Sequence, residues 1–488
     1  MGKTKLIIAE INTWVWINDL EKKHGKTLNL GNIPAQEWNQ LAEMGFNAVW
    51  LMGIWKRSPS GKKISEENVD LYEEYSRSLP DWSPDDLTGS PYCVQDYVVE
   101  PRFGGFPGLK KARKALKERG IQLILDFVPN HVAIDHAWLT KNSNFFVHGD
   151  EVDLIRAPRE FFQTADAIVA KGRDPFFPPW QDVAQLNAFS KEYRDAASDV
   201  LRMIGGICDG VRCDMAMLML SRVFSYTWQS RAGIPANNEF WDDVITSARA
   251  TYPDMLFIAE VYWGLEWDLM QTGFDYCYDK RLYDRVIHEN AETIRQHIKS
   301  EFGYQSRLLR FLENHDENRV SEILPGDRLR AASVLTSTLP GALLIYEGQW
   351  EGRKRRNHVL LGRRQSETPD LDLCQFYQKL IRFASTICHE GPWYLCPVAT
   401  WPDNKTGEDI IAYGWEIGKK KYLVAINYSN HFSQGRIKLP WENLIELKFD
   451  LHDLFTDEVF GKDGKDIISE GLFVNLPPWG YHMFFTEV

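Results

Sequence analysis

Ionisable side chains stand at the ends of four apolar stretches of this 488-residue sequence. Each stretch has a carboxyl group beside or after a run of apolar residues. The four stretches are DFVPNH (126–131), GVRCD (210–214), LFIAE (256–260) and FLENHD (311–316). A single Asp at such a place could belong to a structural ion pair or be a solvated loop acid. Four acids accompanied by His131, Arg212 and His315 indicate a functional cluster instead, because carboxylates that lie close together repel and shift each other's pKa.

Hydrolysis of a glycosidic bond needs one carboxylate kept ionised as nucleophile and one carboxyl group kept protonated as acid. Arg212 and Asp214 are two residues apart, so on a strand they point to the same side, and the positive charge is expected to lower the pKa of Asp214. Glu260 lies between LFIA and VYW, where desolvation is expected to raise its pKa. Asp214 is thus the candidate nucleophile and Glu260 the candidate acid. Asp316 is a third charge that could stabilise a positive transition state or hold ring hydroxyls.

His131 and His315 allow two interpretations. They could donate hydrogen bonds to sugar hydroxyls, or they could ligate zinc. No HExxH pattern and no Cys/His pair with metal-ligand spacing accompanies them. The sequence therefore predicts no metal at this cluster.

The elements that must position these acids alternate between apolar strands and amphipathic helices. Eight strand candidates cover 5–16, 47–55, 122–130, 210–217, 256–263, 274–279, 308–316 and 342–349. Helical patterns cover 34–45, 107–120, 238–252 and 370–387. This alternation predicts an α/β fold, and eight units predict a closed (β/α)₈ TIM barrel. Charges are tolerated at the open carboxyl ends of its strands, which is where the acids lie.

Two regions depart from the repeat and predict a domain organisation. The segment after the third strand, 131–205, is too long for one helix and is rich in Phe, Pro and Asp, so we interpret it as an inserted subdomain. Short alternating segments after the last helix predict an antiparallel β-sandwich over 391–488, which leaves 1–390 as the catalytic barrel.

Composition restricts the class of partner. The net charge of −12 argues against nucleic acid or an anionic membrane and favours a neutral substrate. No apolar run reaches the 18 residues of a membrane span. Glu10 interrupts the short N-terminal apolar stretch, which is not typical of a signal peptide. The seven scattered Cys are typical of reduced thiols and predict a cytoplasmic protein. The 18 Trp, 19 Tyr and 26 Phe could serve a large core or stack on sugar rings.

The four stretches, in this order, resemble the α-amylase family of retaining α-glucan-active glycoside hydrolases (glycoside hydrolase family 13). SPYCVQDY (90–97) and LPPWGYHMF (476–484) are similar to further parts of that family. The resemblance implies Asp214 as nucleophile, Glu260 as acid/base and Asp316 as transition-state stabiliser. It also implies substrate-binding roles for a second set of residues, with Arg212 orienting the nucleophile and Tyr92 stacking beneath the sugar: Tyr92, His131, Arg212 and His315. Asp126 is expected to be structural.

The sequence departs from the family at three places. Met217 and Leu218 stand where the resemblance implies Lys-His, and these apolar side chains could disfavour water or select an unusual acceptor. Gln185 in VAQLN (183–187) stands where an Asp would help to bind a structural Ca²⁺, although Asn130 is retained, so no cofactor is expected to be required. The basic run 353–356 could be a solvated loop or could recognise an anionic sugar or phosphate.

Three functional hypotheses follow. The first is a retaining hydrolase of α-glucosidic bonds in maltooligosaccharides or related α-glucans. The second is a transferase, isomerase or phosphorylase of the same fold, which passes the glycosyl group to a sugar or phosphate. The third is a binding or scaffold protein without catalysis. An α-linked oligosaccharide is the expected partner, and no feature of the sequence indicates an oligomeric state.

Overall fold

The computed structural model describes residues 5–387 and 392–487. Eight strands close into one parallel barrel, as predicted. In chain order they are β1 Ile7–Asn12, β2 Ala48–Met52, β3 Gln122–Phe127, β4 Gly210–Cys213, β5 Leu256–Ala259, β6 Tyr276–Tyr278, β7 Leu308–Arg310 and β8 Ala342–Tyr346. Each strand is hydrogen-bonded to its neighbours in sequence, and β8 closes the barrel on β1. The apolar runs form strands because both of their faces are buried.

The strands are shorter than the sequence patterns, and β1 shows why. The pattern 5–16 was expected to be one strand, but β1 ends at Asn12 and a helix follows at Thr13–His24. The Asn12 side chain caps this helix by accepting a hydrogen bond from the Val15 amide, 3.5 Å away. Aromatic and β-branched residues in TWVW imitate a strand, but helical spacing places Val15, Ile17 and Leu20 in the core.

Helices cover the outside of the barrel, and the four predicted ones are confirmed with small changes at their ends. The principal helices are α1 Thr13–His24, α2 Ala35–Met44, α3 Gly105–Lys117, α4 Lys191–Gly205, α5 Phe240–Thr251, α6 Lys280–His288, α7 Asp327–Thr338 and α8 Leu371–Ile387. Shorter ones are Pro59–Glu67, Tyr72–Ser78, Trp138–Lys141, Glu151–Arg156, Ser221–Trp228, Glu266–Gln271, Ala291–Ile298, Phe302–Gln305, Val320–Ile323 and Gly464–Glu470.

An excursion of the chain follows β3 and carries its own small sheets. His131–Ala133 pairs with Val183–Gln185, and Phe161–Gln163 pairs with Ile168–Ala170, both antiparallel. The predicted range 131–205 also contains α4, which packs against α5 on the outside of the barrel. We therefore use the name "excursion" for residues 131–190, before α4 begins.

The C-terminal residues form two packed antiparallel sheets, which confirms the predicted β-sandwich. The strands are β9 Trp393–Leu395, β10 Val398–Ala399, β11 Ile410–Ile417, β12 Lys420–Asn427, β13 Ser433–Ile437, β14 Lys448–Asp453, β15 Val459–Asp463, β16 Leu472–Leu476 and β17 Tyr481–Glu487. Strands β10, β13 and β16 make the smaller sheet. A core that includes Leu423, Trp441 and Val474 fills the space between the sheets. The predicted boundary at 390/391 lies outside the described residues.

The sandwich is tied to the barrel by hydrogen bonds as well as by a shared apolar core. The Trp415 indole donates to the Thr338 carbonyl at 3.0 Å, and the Tyr428 hydroxyl donates to the Val286 carbonyl at 2.6 Å. Ile411 and Val424 of the sandwich belong to the same buried cluster as the barrel core. The two parts therefore form one packed body.

Within the described ranges, no helix has the length and apolar character that crossing a bilayer requires. Six cysteines lie in these ranges and are free: Cys93, Cys208, Cys213, Cys277, Cys374 and Cys396. Cys388 lies outside them.

Candidate active site

The predicted catalytic acids meet at the carboxyl ends of the barrel strands. Asp214 and Glu260 each come one residue after their strand, and Asp316 lies on the loop that follows β7. All three line one cavity of about 220 Å³. Tyr92 and His131 line the same cavity, as the sequence predicted. The closed sheet brings together residues that are more than 200 positions apart in the chain.

Arg212 is the centre of the cluster and is only 1% exposed. Its Nη1 donates to Asp214 Oδ1 at 2.7 Å, and its Nη2 lies 2.9 Å from Glu260 Oε2. The guanidinium carbon lies 5.1 Å from the ring centres of both Trp50 and Tyr92. The sequence predicted the contact with Asp214. The contact with Glu260 arises because β4 and β5 are neighbours, with Arg212 in register with Ile258.

Glu260 is held at both carboxyl oxygens. The Met215 amide donates to Oε2 at 2.6 Å, and the Tyr262 hydroxyl donates to Oε1 at 2.9 Å. Burial and the neighbouring charges of Asp214 and Asp316 raise the pKa of Glu260 to about 7, although Arg212 opposes the shift. This carboxyl group therefore retains a proton up to near-neutral pH, which a general acid requires.

The pKa of Asp214 differs from the expectation. Burial raises its pKa, and the Arg212 charge with its hydrogen bond lowers it only in part. Arg212 lowers the pKa of Asp214 as expected, but burial outweighs it, because the residue is only 5% exposed and because Arg212 divides its attraction between two carboxylates. Arg212 still favours the ionised form of Asp214 relative to a site without the cation.

Asp316 is fixed by a chain of charges behind the cavity. His315 places Nε2 3.1 Å from Asp316 Oδ2 and Nδ1 2.5 Å from Glu10 Oε1. Burial lowers the pKa of His315, but Asp316 and Glu10 outweigh it and raise the pKa to about 10. Burial raises the pKa of Asp316, but the His315 charge and hydrogen bond outweigh it and lower the pKa to about 2. Asp316 therefore stays ionised, while its side chain remains 44% exposed toward the cavity.

His315 and His131 occupy different positions. His315 has an unexposed side chain and does not line the cavity; its Nε2 also lies 2.8 Å from the Tyr92 hydroxyl. His131 lines the cavity, with its ring centre 5.1 Å from that of Trp180. Burial lowers the pKa of His131 to about 4, so its imidazole is neutral at neutral pH and can both donate and accept a hydrogen bond.

Asp126 supports the site without facing the cavity. Its Oδ1 accepts from the Trp50 indole at 3.1 Å, and its Oδ2 accepts from the Gly53 amide at 2.8 Å. Because Trp50 stacks on Arg212, Asp126 fixes one wall of the guanidinium site. Burial raises its pKa to about 6.

Sequence reasoning missed several residues of the site. Trp180 and Asp182 of the excursion line the cavity, and Tyr262 binds Glu260. Glu10 is fully buried in β1, and its charge inside an apolar run is the same signal that identified the other acids. In the sequence alone, this charge argues only against a leader peptide.

Met217 and Leu218 do not contact the cavity. They lie in a short 3₁₀ helix, Ala216–Met219, and are 0% and 3% exposed. The chain turns into the core at Met215, whose φ of 43° lies in the left-handed region. Met215 itself lines the cavity. The expectation that Met217 and Leu218 select the acceptor was therefore wrong, because both belong to the core.

The residues that the resemblance associates with Ca²⁺ do not fit the ion. Gln185 and Asn130 are fully buried amides that pair with each other: Gln185 Nε2 donates to Asn130 Oδ1 at 2.9 Å and to its carbonyl at 3.0 Å. A third bond runs to the Leu186 carbonyl at 3.0 Å. Ca²⁺ binds oxygen ligands and favours carboxylates. Here the Gln185 amide N–H group already donates to the oxygens of Asn130 and Leu186 that would have to face a Ca²⁺ ion. In the described ranges, no group of three or more His, Cys, Asp or Glu could hold a metal ion.

The basic run at 353–356 is partly bound within the protein. Arg353 forms an ion pair with Glu351 at 2.8 Å, and Arg355 donates to the Arg77 carbonyl at 3.2 Å. Arg356 is exposed, and its charge contributes to the low pKa of Asp316. These contacts favour the interpretation as a structured surface loop for Arg353 and Arg355.

Comparisons with known proteins agree with this architecture. The family model "Alpha amylase, catalytic domain" matches residues 35–375. "Alpha-amylase 2" of Dictyoglomus thermophilum is 24% identical over 407 residues, which are 76% of this chain and 62% of that protein. A maltosyltransferase of Burkholderia pseudomallei, "Alpha-1,4-glucan:maltose-1-phosphate maltosyltransferase", is 21% identical over 63% of this chain and 24% of its own length. The chain thus spans less than two thirds of the length of these curated relatives.

Among solved structures, the α-amylase of Geobacillus thermoleovorans in complex with acarbose superposes with a TM-score of 0.70 at 18% identity. The match covers 99% of this chain and 98% of that one. The likeness shows a common fold. The family model spans more than half of the chain, and the four stretches that carry the resemblance meet in one cavity. The chain therefore belongs to the α-amylase family.

Proposed function

We propose that the protein hydrolyses α-glucosidic bonds of maltooligosaccharides or related α-glucans with retention of anomeric configuration. The observation that carries the proposal is the guanidinium of Arg212, which holds Asp214 on one nitrogen and Glu260 on the other. Two carboxyl groups on one guanidinium lie close together. A short separation is the arrangement of retaining enzymes, whereas inverting enzymes leave room for a water molecule between them.

The first step divides the work between the two carboxyl groups. Glu260, with a pKa of about 7, gives its proton to the glycosidic oxygen as the bond from that oxygen to the anomeric carbon breaks. Asp214 attacks the anomeric carbon from the opposite side and forms a glycosyl ester. The leaving sugar departs with the proton, and the configuration is inverted once.

The second step reverses these roles. Glu260, now ionised, removes a proton from water, and the resulting oxygen nucleophile attacks the anomeric carbon. The ester bond to Asp214 breaks and the carboxylate leaves. The configuration is inverted a second time, so the first product is the α-anomer.

Asp316 and the cavity wall complete the site. The pKa of Asp316 is lowered to about 2, so its negative charge is present when positive charge develops on the sugar ring. Tyr92 and Trp180 line the cavity and offer aromatic surface to a ring. His131, neutral at physiological pH, is placed to bind a hydroxyl group. The net charge of −12 and the free cysteines further support an uncharged substrate and a reducing, cytoplasmic location.

The experiment follows products from a panel of α-linked oligosaccharides and disaccharides. Proton NMR of the first turnovers should show an α-anomer, because two inversions restore the configuration. Asp214→Asn should remove reducing-sugar release. Asp254→Asn, the same chemical change at an exposed position, should leave it unchanged. A β-anomer, or full activity of Asp214→Asn, would contradict the mechanism.

The same digest separates the proposal from the other two hypotheses. Products longer than the starting oligosaccharide, or a sugar phosphate formed only with added phosphate, would assign the protein as a transferase or phosphorylase. Binding without turnover on every glycan of the panel would assign it as a non-catalytic protein.

A further inference from the structure

A second cavity lies where the barrel meets the sandwich, and it is about four times larger than the catalytic one. Its volume is about 870 Å³, compared with about 220 Å³ for the catalytic cavity. We call it the junction groove and define it by Asp327, Arg330, Asp372, Phe455, Trp479 and Tyr481. The two cavities share no lining residue. Because the barrel and the sandwich share one core, the groove is a fixed feature of the fold.

Aromatic rings from both parts form the floor of the groove. The ring centre of Phe376 from α8 lies 5.4 Å from that of Phe455, which in turn lies 5.5 Å from that of Tyr481. The Arg330 guanidinium carbon from α7 lies 4.9 Å from the Phe376 ring centre. The rings brace one another at different angles, so the floor presents rigid apolar surface.

Trp479 forms one side of the groove in a backbone conformation that costs energy. Its φ of 56° lies in the left-handed region, which a bulky residue rarely adopts. The turn is fixed by two hydrogen bonds: the Trp479 amide to the Ser429 carbonyl at 3.0 Å and the Gly480 amide to the Pro477 carbonyl at 2.9 Å. Such strain persists where the surroundings impose it, and it clusters at ligand-binding sites.

Several polar groups around this floor form no hydrogen bond or ion pair with the described part of the chain. Asp327, Arg330, Asp372 and Gln375 make no side-chain hydrogen bond or ion pair with any residue in the described ranges. The Tyr481 hydroxyl likewise has no hydrogen-bond partner there. These groups belong to different elements and all line the same cavity. They remain available to a ligand.

The chemistry of the lining identifies the class of ligand. Asp327 and Asp372 balance Arg330 and Lys379, so the groove has no net positive charge to attract a phosphate or a nucleic acid. Apolar ring surface edged by carboxylate, amide and guanidinium groups fits an uncharged molecule with apolar faces and many hydroxyl groups. That description fits a sugar ring.

We propose that the junction groove is a second carbohydrate-binding site, which holds part of an α-glucan chain while another part is cleaved. The choice of α-glucan rests on the proposed function, whereas the groove itself does not. A chain bound at two sites gains affinity through its effective concentration at the second site, by about 10²- to 10⁴-fold when its length spans both. The groove should therefore favour polymers over short oligosaccharides.

The test measures retention of the protein in native gels cast with soluble starch. All proteins carry Asp214→Asn so that the polymer is not digested. Adding Trp479→Ala should raise the dissociation constant at least about tenfold, since it removes the largest ring of the site. Adding Arg330→Gln should raise it in the same direction with less effect on packing. Trp267→Ala is the matched control, because this exposed tryptophan lines neither cavity.

A second measurement uses proteins with Asp214 intact. The ratio of kcat/KM for starch to that for maltotriose should fall in both groove variants and stay constant in Trp267→Ala. The proposal is overturned if retention is unchanged in both groove variants, or if Trp267→Ala lowers it equally. If circular dichroism shows that Trp479→Ala does not fold, the retention of Arg330→Gln alone decides whether the groove binds the polymer. Retention without hydrolysis by the unmodified protein would refute the proposed function alone, whereas hydrolysis without retention would refute the groove alone.

Discussion

Arg212 carries more of the candidate site than any other single residue. A guanidinium that is 1% exposed would be costly to bury alone. Two carboxylates and two aromatic rings offset that cost: Asp214, Glu260, Trp50 and Tyr92. The same contacts couple Asp214, the proposed nucleophile, to Glu260, the proposed acid, so a change at either carboxyl group alters the charge that the other one experiences.

The first prediction concerns pH and Glu260. Burial raises the pKa of Glu260 to about 7, and the first step needs its protonated form. We therefore expect kcat/KM for an unactivated maltooligosaccharide to fall about tenfold per pH unit above neutrality, since deprotonation removes the acid. An aryl glycoside whose leaving group needs no proton serves as the control: its kcat/KM should not fall above neutrality, and it should be largely retained in Glu260→Gln. A flat profile to pH 9 with the unactivated substrate would contradict the assignment.

The second prediction concerns Glu10, which the sequence interpretation did not place in the site. Glu10 raises the pKa of His315, and the His315 charge lowers the pKa of Asp316. Glu10→Gln should therefore lower the pKa of His315, so that the positive charge beside Asp316 is lost at a lower pH. We expect the alkaline fall of kcat/KM to begin at a lower pH than in the unmodified protein, because Asp316 then lacks its charged partner. Glu118→Gln, at an exposed position on the barrel surface, is the control and should leave the pH profile unchanged. An unchanged profile in Glu10→Gln would mean that the ion pair of Glu10 with His315 is only structural.

At the scale of elements, the excursion is attached to the barrel by neutral amides. His131–Ala133 pairs with Val183–Gln185, and the Asn130–Gln185 contact lies at one end of this small sheet. Trp180 and Asp182, which immediately precede the second strand of this small sheet, line the cavity. The geometry of that wall thus depends on hydrogen bonds between amides, which need no ion.

The third prediction follows from that attachment. The unfolding temperature should be the same in EDTA and in CaCl₂, because Gln185 Nε2 occupies the oxygens that a cation would need. Gln185→Ala should lower the free energy of unfolding by about 1–3 kcal/mol, since it leaves the buried Asn130 Oδ1 without the donor it has in the structure. Gln163→Ala, at an exposed position, is the matched control. A lower unfolding temperature in EDTA would refute the account.

Much of the element order was predictable from the sequence, and the reason is physical. The eight barrel strands are largely buried on both faces and mostly apolar, so their runs stand out, and the few charged residues in or just after them stand out by contrast. What could not be predicted depends on closure of the barrel. The contact between Arg212 and Glu260 requires that β4 and β5 be neighbours in register. The entry of Trp180 into the cavity requires the path of the excursion, which no local pattern encodes.

At the scale of the whole molecule, the barrel and the sandwich share a core and exchange hydrogen bonds. The fourth prediction is that they unfold in a single calorimetric transition. Tyr428→Phe should lower the free energy of unfolding by about 0.5–1.5 kcal/mol, because the hydroxyl bond to the Val286 carbonyl crosses the junction. Tyr226→Phe, whose side chain is exposed, should change it little. Two separate transitions would contradict the shared core.

The turn at Met215 limits what the loop after β4 adds to the cavity. Immediately after Asp214 the backbone bends into the core, so this part of the chain contributes little to the cavity besides Asp214 and Met215. Much of the remaining wall comes from two segments elsewhere in the chain, around Tyr92 and around Trp180. The proposed reaction and the proposed recognition of the substrate therefore depend on separate parts of the sequence. We expect replacement of the 131–190 excursion to change which substrates are accepted, while the strands that position Asp214, Glu260 and Asp316 stay intact.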